Sequence, residues 1–255
     1  MRFDIVTIFP EALSGFFSVG VIGQARAAGL LEVHLHDLRD FTDDPHRVVD
    51  DRAYGGGPGM VMKVEPFVRA IEAIKSGRVR SCFLHERCGI ARPDPEGWTE
   101  GWRTILLSAQ GRLFTERDAI RLGKYAGLIL LCGRYEGVDE RVVEFVDEEL
   151  SIGDYVLTGG ELAAAVVVEA TARTIPGVVG DFGSVESDSF FNKERLGPPQ
   201  YTRPPEFRGL KVPDVLLSGD HKRIEEFRAR AAWEKTARNR PDLLGLDLDR
   251  ENSDG

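Results

Sequence analysis

The clearest pattern of apolar and polar positions lies at residues 128–161. Residues 128–132 form an apolar run of strand length, which ends at a segment with two glycines, residues 133–137. Residues 138–149 carry apolar side chains at the spacing of one helical face and predict a helix. Residues 155–157 predict a second short strand, and a glycine turn follows it. The pattern therefore predicts two strands that each end in a glycine-rich loop, with one helix between them.

Similar patterns along the rest of the chain alternate between strands and helices. Strands are predicted at residues 3–9, 31–36 and 105–107, and helices at residues 11–28, 64–76, 119–125, 162–174 and 221–238. This alternation predicts an α/β protein. Ligands of open α/β sheets bind beyond the carboxyl ends of the strands, where glycine lets the backbone approach a ligand closely. We therefore interpret the two glycine-rich loops as a binding pocket rather than as two ordinary turns.

A third glycine-rich loop, at residues 50–60, has four glycines in five positions. It completes neither a dinucleotide-binding fingerprint nor a phosphate-binding P-loop. It is either a flexible surface loop or a loop that becomes ordered on a substrate, with polar contacts from Asp50, Asp51 and Arg52. The residues alone leave both interpretations open.

Glycine and serine residues predict a flexible linker at residues 180–187. We therefore expect one domain at residues 1–179 and a second domain at residues 188–255. In the second domain, Ser218 or Asp220 is expected to cap the long predicted helix.

The net charge of −9 argues against nucleic acid as a partner, because phosphate binding usually requires a basic surface. The charge is uneven, however. Residues 199–240 contain ten Lys and Arg against six Asp and Glu, whereas residues 136–161 contain nine acids and one Arg. The basic segment is compatible with RNA binding and equally with a solvated helix. Residues 87–103 look like an irregular insertion, to which no role is assigned.

The spacing of the cysteines does not indicate a zinc site, and the histidines leave a metal-binding pair open only as an alternative. Cys82, Cys88 and Cys132 lack the spacing of zinc ligands, and three such cysteines favour a reducing compartment. His34 and His36 share the polar face of a predicted strand. We interpret them as exposed residues, with a metal-binding pair as the alternative.

Two observations argue against a membrane or secreted protein. No apolar run is long enough to span a membrane. Asp4 and Glu11 would interrupt the apolar core of an export signal. We therefore expect a cytoplasmic protein with no membrane partner.

Several ordered blocks resemble the bacterial tRNA (guanine-N1)-methyltransferases, which belong to the SPOUT class of knotted methyltransferases. These blocks are CGRYEGVDERV at 132–142, SIGDYVLTGGEL at 151–162, DDRAYGGGPGMVM at 50–62, SAQG at 108–111, ARTIPGVVG at 172–180, SDSF at 187–190 and YTRPPEFRG at 201–209. Ala53 and Ala109 stand where the family pattern has proline. The resemblance covers nearly the whole chain.

The resemblance implies a mostly parallel sheet flanked by helices, with a deep trefoil knot in its C-terminal part and a small, mainly helical C-terminal domain that binds tRNA. Knots are rare, and the periodicity of this sequence does not reveal one. The resemblance also implies a homodimer with a composite active site. Its reaction would move a methyl group from S-adenosylmethionine to N1 of guanosine at position 37 of tRNA.

The chemistry of that reaction defines the groups it needs. N1 of neutral guanine carries a proton, so a base must accept it, and negative charge then develops on O6. The resemblance assigns Asp188 as the base and Arg173 as the partner of O6. Glu136 as the base, and Asp188 as a helix N-cap only, are the alternatives.

The resemblance also implies the contact residues. Cofactor contacts are expected from Ser108, Ala109, Gln110, Gly133, Tyr135, Glu136, Ser151, Ile152, Gly153, Asp154, Tyr155, Val156, Leu157, Gly159 and Gly160. RNA contacts are expected from Asp51, Arg52, Tyr54, Arg134, Arg203 and Arg208. Core packing is the alternative for Ile152, Val156 and Leu157. No residue is assigned to a metal, and a role for a divalent ion stays open.

Three other functions are weighed against this one. The first is an α/β enzyme that binds a nucleotide or phosphate at its glycine loops, although the usual phosphate-binding motifs are missing. The second is a non-catalytic RNA-binding relative, which the presence of Arg173 and Asp188 argues against. The third is a methyltransferase of the same fold that acts at another RNA position.

Overall fold

The structure is a computed structural model that describes residues 1–79, 100–180, 182–191 and 195–246. The chain forms two compact units, Met1–Gly180 and Asp181–Gly255. Most of the insertion predicted at residues 87–103 lies outside the described residues.

The first unit contains one large sheet and its helices. Its elements are β1 (Arg2–Thr7), α1 (Glu11–Ser14), α2 (Gly20–Ala27), β2 (Glu32–Asp37), β3 (Asp50–Asp51), β4 (Val61–Met62), α3 (Val64–Lys75), β5 (Glu100–Leu113), α4 (Glu116–Leu122), β6 (Tyr125–Cys132), β7 (Glu148–Ser151) and α5 (Glu161–Arg173). The large sheet has the order β2-β1-β6-β5-β7, and all its pairings are parallel. The predicted α/β fold is therefore confirmed, and the trefoil knot stays a prediction.

The central strand β6 is apolar on both faces. Leu128, Leu130 and Cys132 belong to one apolar cluster, and Ile129 and Leu131 belong to the other. Successive side chains of a strand point to opposite faces, so a strand covered by helices on both sides is apolar at every position. This explains why residues 128–132 form a continuous apolar run.

Two predictions about local structure are wrong. The helix predicted at residues 138–149 is a short 3-10 helix, Glu140–Phe145, followed by strand β7. The side chain of Asp139 begins the 3-10 helix by accepting the N–H of Arg141 at 3.0 Å. The strand predicted at residues 155–157 is an irregular segment without strand pairing.

The helix predicted at residues 11–28 is interrupted. Between α1 and α2 the 3-10 helix Phe16–Ser18 turns the side chain of Phe17 into the core, where it is fully buried. The remaining predicted helices of the first unit correspond to α3, α4 and α5, with shifts of a few residues at their ends.

The prediction that His34 and His36 are exposed is also wrong, since only 6% and 2% of these residues is accessible. Nε2 of His36 lies 2.7 Å from Oδ1 of Asp4 on the neighbouring strand, and Nε2 of His34 lies 3.1 Å from Glu32. These carboxylates explain how two polar rings can be buried in the sheet. Among the described residues, no group of three or more His, Cys, Asp or Glu could hold a metal ion.

The second unit is small and mainly helical. Its elements are α6 (Phe182–Ser187), β8 (Glu206–Phe207), β9 (Leu210–Lys211), α7 (Asp214–Leu217) and α8 (His221–Asn239), followed by the 3-10 helix Pro241–Leu244. Residues 182–187 form α6, so most of the predicted flexible linker is helical. Asp220, rather than Ser218, caps α8, because its carboxylate accepts the N–H of Arg223 at 3.2 Å. No helix within the described ranges is long and apolar enough to cross a membrane.

Candidate active site

A cavity of about 300 Å³ lies beyond the carboxyl ends of β6 and β7, beside an irregular part of β5. It is lined by residues of three glycine-containing blocks, at 108–111 within β5, at 132–142 after β6 and at 151–162 after β7. Fourteen of the fifteen predicted cofactor residues line it: Ser108, Ala109, Gln110, Gly133, Tyr135, Glu136, Ser151, Ile152, Gly153, Tyr155, Val156, Leu157, Gly159 and Gly160. Asp154 does not line the cavity. The fold thus brings together residues that lie far apart in the sequence.

The loop after β6 meets the turn before α5 at glycine residues. The N–H of Gly160 donates to the carbonyl of Gly133 at 2.9 Å, and Arg134 forms an isolated antiparallel bridge with Gly159. A Cβ atom at Gly160 would lie only 2.8 Å from Cα of Cys132. The close approach of the two chain segments therefore requires glycine at position 160.

Hydrogen bonds within the loop after β7 fix its shape. The hydroxyl of Ser151 donates to the carbonyl of Gly153 at 3.0 Å, and the hydroxyl of Tyr155 donates to the carbonyl of Ile152 at 3.2 Å. Ile152 packs against an apolar cluster, which agrees with the alternative that this residue belongs to the core. Val156 is 86% exposed and Leu157 is 39% exposed, so the core alternative is wrong for these two residues.

The segment at residues 108–110 lies in an irregularity of β5. The pairing of β5 with β7 shifts between Leu107 and Arg112, which frees the residues between them from regular pairing with β7. Oγ of Ser108 accepts the N–H of Gln110 at 3.1 Å within this segment. Bulges of this kind commonly redirect a strand beside a binding site.

An ionic cluster supports this irregular strand. Asp118 on α4 accepts hydrogen bonds from Arg112 on β5 at 2.7 and 2.9 Å, and Arg121 binds Glu148 on β7 at 2.8 Å. Burial alone would raise the pKa of Asp118, but the hydrogen bonds from Arg112 and Thr115 outweigh it and lower this pKa to about 2. The cluster therefore ties β5, α4 and β7 together close to the cavity.

The glycine-rich loop at residues 50–60 is attached to the cavity wall at its C-terminal end. The carbonyl of Met60 accepts the N–H of Glu136 at 3.1 Å, and the N–H of Met62 donates to Gly137 at 3.0 Å. Asp51 accepts the N–H of Arg52 at 2.7 Å, and the side chain of Tyr54 is fully exposed. The loop thus has an anchored end beside Glu136 and an exposed tip.

The three predicted catalytic residues lie in different parts of the chain. Glu136 lines the cavity. Arg173 is the last residue of α5 and is half-buried, whereas Asp188 follows the C-terminal end of α6 in the second unit and is exposed. The N-cap alternative for Asp188 is wrong, because residues 189–191 are not helical. The catalytic roles of all three stay predictions.

The wall of the cavity is acidic. Its charged lining residues are Glu136, Asp139, Glu140, Glu149 and Arg134. Arg134 is thus the one cation among the described lining residues, and its Nε lies 3.2 Å from Oε1 of Glu161. Its guanidinium carbon also lies 4.4 Å from the centre of the Phe9 ring. Glu161 and Phe9 therefore contact the Arg134 guanidinium, and they compete with RNA for this side chain.

A second cavity, of about 770 Å³, lies within the second unit. Its lining contains Arg203, Arg228 and Tyr201 but no acidic residue. Within the described residues, neither arginine forms an ion pair, whereas Arg230 on the same helix lies 3.7 Å from Glu234. Arg208 is exposed on the β8-β9 hairpin, next to Phe207. The sequence predicted Arg203 and Arg208 and missed Tyr201 and Arg228, although arginine next to an aromatic residue is a recognisable signal for RNA.

The parallel sheet and the acidic, glycine-lined cavity at its carboxyl edge define an α/β protein that is built to hold a small ligand at strand ends. Comparison with known proteins supplies the particular family. A family model described as tRNA (Guanine-1)-methyltransferase TrmD matches residues 1–246. The chain therefore belongs to the tRNA (guanine-1)-methyltransferase family, and the predicted family and enzyme class are confirmed.

Individual relatives agree with the family model. The tRNA (guanine-N(1)-)-methyltransferase of Geobacter metallireducens is 49% identical over 96% of this chain and 91% of its own length. Proteins with the same name from Dictyoglomus turgidum and Endomicrobium trichonymphae are 48% and 43% identical, again over 96% of this chain. They are matched over 90% and 99% of their own lengths.

Proposed function

We propose that this protein transfers a methyl group from S-adenosylmethionine to N1 of guanosine at position 37 of tRNA. The observation that carries the proposal is the acidic, glycine-lined cavity in a chain of the tRNA (guanine-1)-methyltransferase family. The cofactor, the position of the target nucleotide and the roles of individual residues are the parts of the proposal that go beyond the family.

The cavity has properties that suit S-adenosylmethionine. This cofactor carries a positively charged sulfonium, from which it supplies an electrophilic methyl group. Of the described residues that line the cavity, four carry carboxylates and one, Arg134, is an arginine that is paired with Glu161, so the surroundings favour a cation. The bond between Gly160 and Gly133 brings two glycine-containing segments together in the cavity wall, where backbone without side chains allows a ligand to approach closely.

The transfer requires removal of the N1 proton of guanine. We assign the carboxylate of Asp188 as the group that accepts this proton, and the guanidinium of Arg173 as the group that stabilises the charge on O6. Glu136, in the cavity wall, is the competing candidate for the base. Holding N1 in line with the methyl group favours the transfer further.

We propose that the protein is a homodimer in which Asp188 of each protomer acts at the cavity of the other. The resemblance to the family motivates this arrangement. Apolar side chains that the isolated chain leaves exposed support it, since Leu162 and Val166 on α5 are 64% and 44% accessible. A mixed dimer tests the arrangement, because Asp188→Asn protomers combined with protomers of a cavity variant should regain activity that neither variant has alone.

The acceptor is tRNA, and two surfaces with suitable chemistry are assigned to it. One is the exposed glycine loop with Asp51, Arg52 and Tyr54. The other is the cationic cavity of the second unit with Arg203 and Arg228, next to the hairpin that carries Arg208. Unpaired arginines beside an aromatic ring can bind phosphate and stack on a base. We place the protein in the cytoplasm, where such a tRNA substrate is available.

The test uses two tRNA transcripts that differ only in guanosine or adenosine at position 37. Labelled methyl from S-adenosylmethionine should appear in the guanosine transcript alone. Label in both transcripts would indicate a different acceptor position. No label in either, with the cofactor still bound, would overturn the proposal in favour of a non-catalytic RNA-binding protein.

A further inference from the structure

Among the described residues of the cavity wall, Arg134 is the one cation, and its charge would repel a positively charged cofactor. Arg134 contributes to the lining of the proposed cofactor cavity, among residues that are otherwise acidic or neutral. A unit positive charge at this position opposes the binding of a sulfonium through Coulomb repulsion, and low local polarity strengthens that repulsion. The structure balances this charge with one carboxylate, Glu161.

Glu161 is held in a fixed position. It is the first residue of α5, and only 4% of it is accessible. Its Oε1 accepts the hydroxyl of Thr7 on β1 at 2.7 Å and Nε of Arg134 at 3.2 Å. A buried carboxylate without such partners would be strongly destabilising, so the three side chains form one unit.

The absence of a side chain at Gly159 leaves the space that the ion pair occupies. A Cβ atom at Gly159 would collide with Oε2 of Glu161 and would lie 2.6 Å from Nε of Arg134. On its other side, the guanidinium of Arg134 lies over the ring of Phe9. Glycine at position 159 therefore allows the ion pair to lie directly behind the cavity wall.

We infer that Glu161 is a positioning residue that holds the Arg134 guanidinium against Phe9 and cancels its charge, so that the cavity discriminates in favour of a positively charged sulfonium. This inference rests on the proposed function, because it assumes that S-adenosylmethionine binds in this cavity. It assigns to Glu161 a part in cofactor selection that the motifs in the sequence did not indicate, whereas Thr7 only helps to hold the Glu161 carboxylate in place.

A purely structural role for Glu161 makes a different prediction. The product S-adenosylhomocysteine lacks the transferred methyl group and has a neutral thioether sulfur, and its other groups are those of the cofactor. Loss of loop geometry would weaken the binding of both ligands equally. Loss of charge balance would weaken the binding of the sulfonium more than that of the thioether.

The experiment measures the dissociation constants of both ligands by calorimetry for the wild type, Glu161→Gln and Thr7→Val. Glu161→Gln keeps the shape of the side chain and removes its charge, and Thr7→Val removes a hydrogen bond to the same carboxylate without changing any charge. We expect Glu161→Gln to weaken S-adenosylmethionine on the order of tenfold more than S-adenosylhomocysteine. Thr7→Val should change both dissociation constants by the same factor.

Equal weakening of both ligands by Glu161→Gln would overturn the inference. If that variant does not fold, Arg134→Gln is measured instead. This variant removes the cation that opposes the sulfonium, so it should shift the preference towards S-adenosylmethionine, which is the opposite of the effect expected for Glu161→Gln. An unchanged preference, or a shift towards S-adenosylhomocysteine, would then overturn the inference. A wild type that binds neither ligand would contradict the proposed cofactor itself, which is a separate result.

Discussion

Gly160 donates its N–H to the carbonyl of Gly133, and this 2.9 Å bond joins the loop after β6 to the turn before α5. Both segments line the cavity, so its shape depends on how closely they approach. The geometry leaves no space for a side chain at position 160, because a Cβ atom there would touch the backbone of Cys132.

We therefore predict that Gly160→Ala separates the two segments. The free energy of unfolding should fall by about 1–3 kcal/mol through overpacking, and binding of S-adenosylmethionine should weaken at least tenfold. Urea denaturation and calorimetry measure the two effects. Gly15→Ala is the matched control, since a Cβ atom at Gly15 would have open space and its φ of −64° suits alanine. Equal stability of both variants would contradict the prediction.

Replacement of the proposed base should separate binding from catalysis. Asp188→Asn removes the group that accepts the N1 proton, so methyl transfer should slow by about 10²–10⁴-fold while the dissociation constant of S-adenosylmethionine stays unchanged. Single-turnover transfer and calorimetry provide the two measurements. Glu136→Gln is the comparison for the competing base. Wild-type transfer by Asp188→Asn, with loss of transfer in Glu136→Gln, would reassign the base to Glu136.

The Asp118 cluster makes stability depend on pH. Because Asp118 has a pKa of about 2 in the folded protein, below that of a free aspartate, its charge stabilises the fold at neutral pH. This contribution is fully present above the pKa of the unfolded chain and is lost as the pH falls through about 2. Asp118→Asn should cost about 1–2 kcal/mol at pH 7, after allowance for solvent screening, and less below pH 4. Denaturation at several pH values tests this, and a constant difference would contradict it.

The cationic cavity of the second unit should contribute to RNA binding through phosphate contacts. Arg228→Gln should weaken tRNA binding and lower the slope of log Kd against log salt by about 1. Filter binding across a salt series measures this slope. The control is Arg230→Gln on the same helix, because Arg230 is near Glu234 and lies outside the cavity lining. Equal slopes for the wild type and both variants would exclude a phosphate contact at Arg228.

The sequence predicted those parts of the fold that short-range patterns determine. The buried strand β6 is recognisable as a continuous apolar run. Both of its faces are covered, so Ile129 packs into one apolar cluster and Leu130 into the other. The cap of α8 at Asp220 was among the predictions because capping depends on neighbouring residues. The residues around the cavity came from the family resemblance, and no periodicity pointed to them.

The wrong predictions concern residues whose partners lie far away in the sequence. The apolar spacing at residues 138–149 suits a helix, but Met62 binds the backbone of Gly137 and Asp139, and β7 pairs with β5. The alternation of apolar and polar residues predicts that His36 is exposed. Asp4 on the neighbouring strand lies 2.7 Å from its ring, and this contact offsets the cost of burying it. No sequence pattern predicts the role of Glu161 either, because its hydrogen-bond partner Thr7 lies far away in the sequence, on the first strand.

The pairing of β1 with β6 also determines when the sheet can form during synthesis. Arg2 is in register with Gly127, and of the described strands that lie between them in the sequence, only β2 pairs with β1. While the ribosome makes the intervening chain, Phe3 and Ile5 have no final neighbour on that side. Long-range parallel pairing is slow and leaves an open strand edge in the meantime. One edge of the first strand therefore stays unpaired until residue 132 has left the exit tunnel.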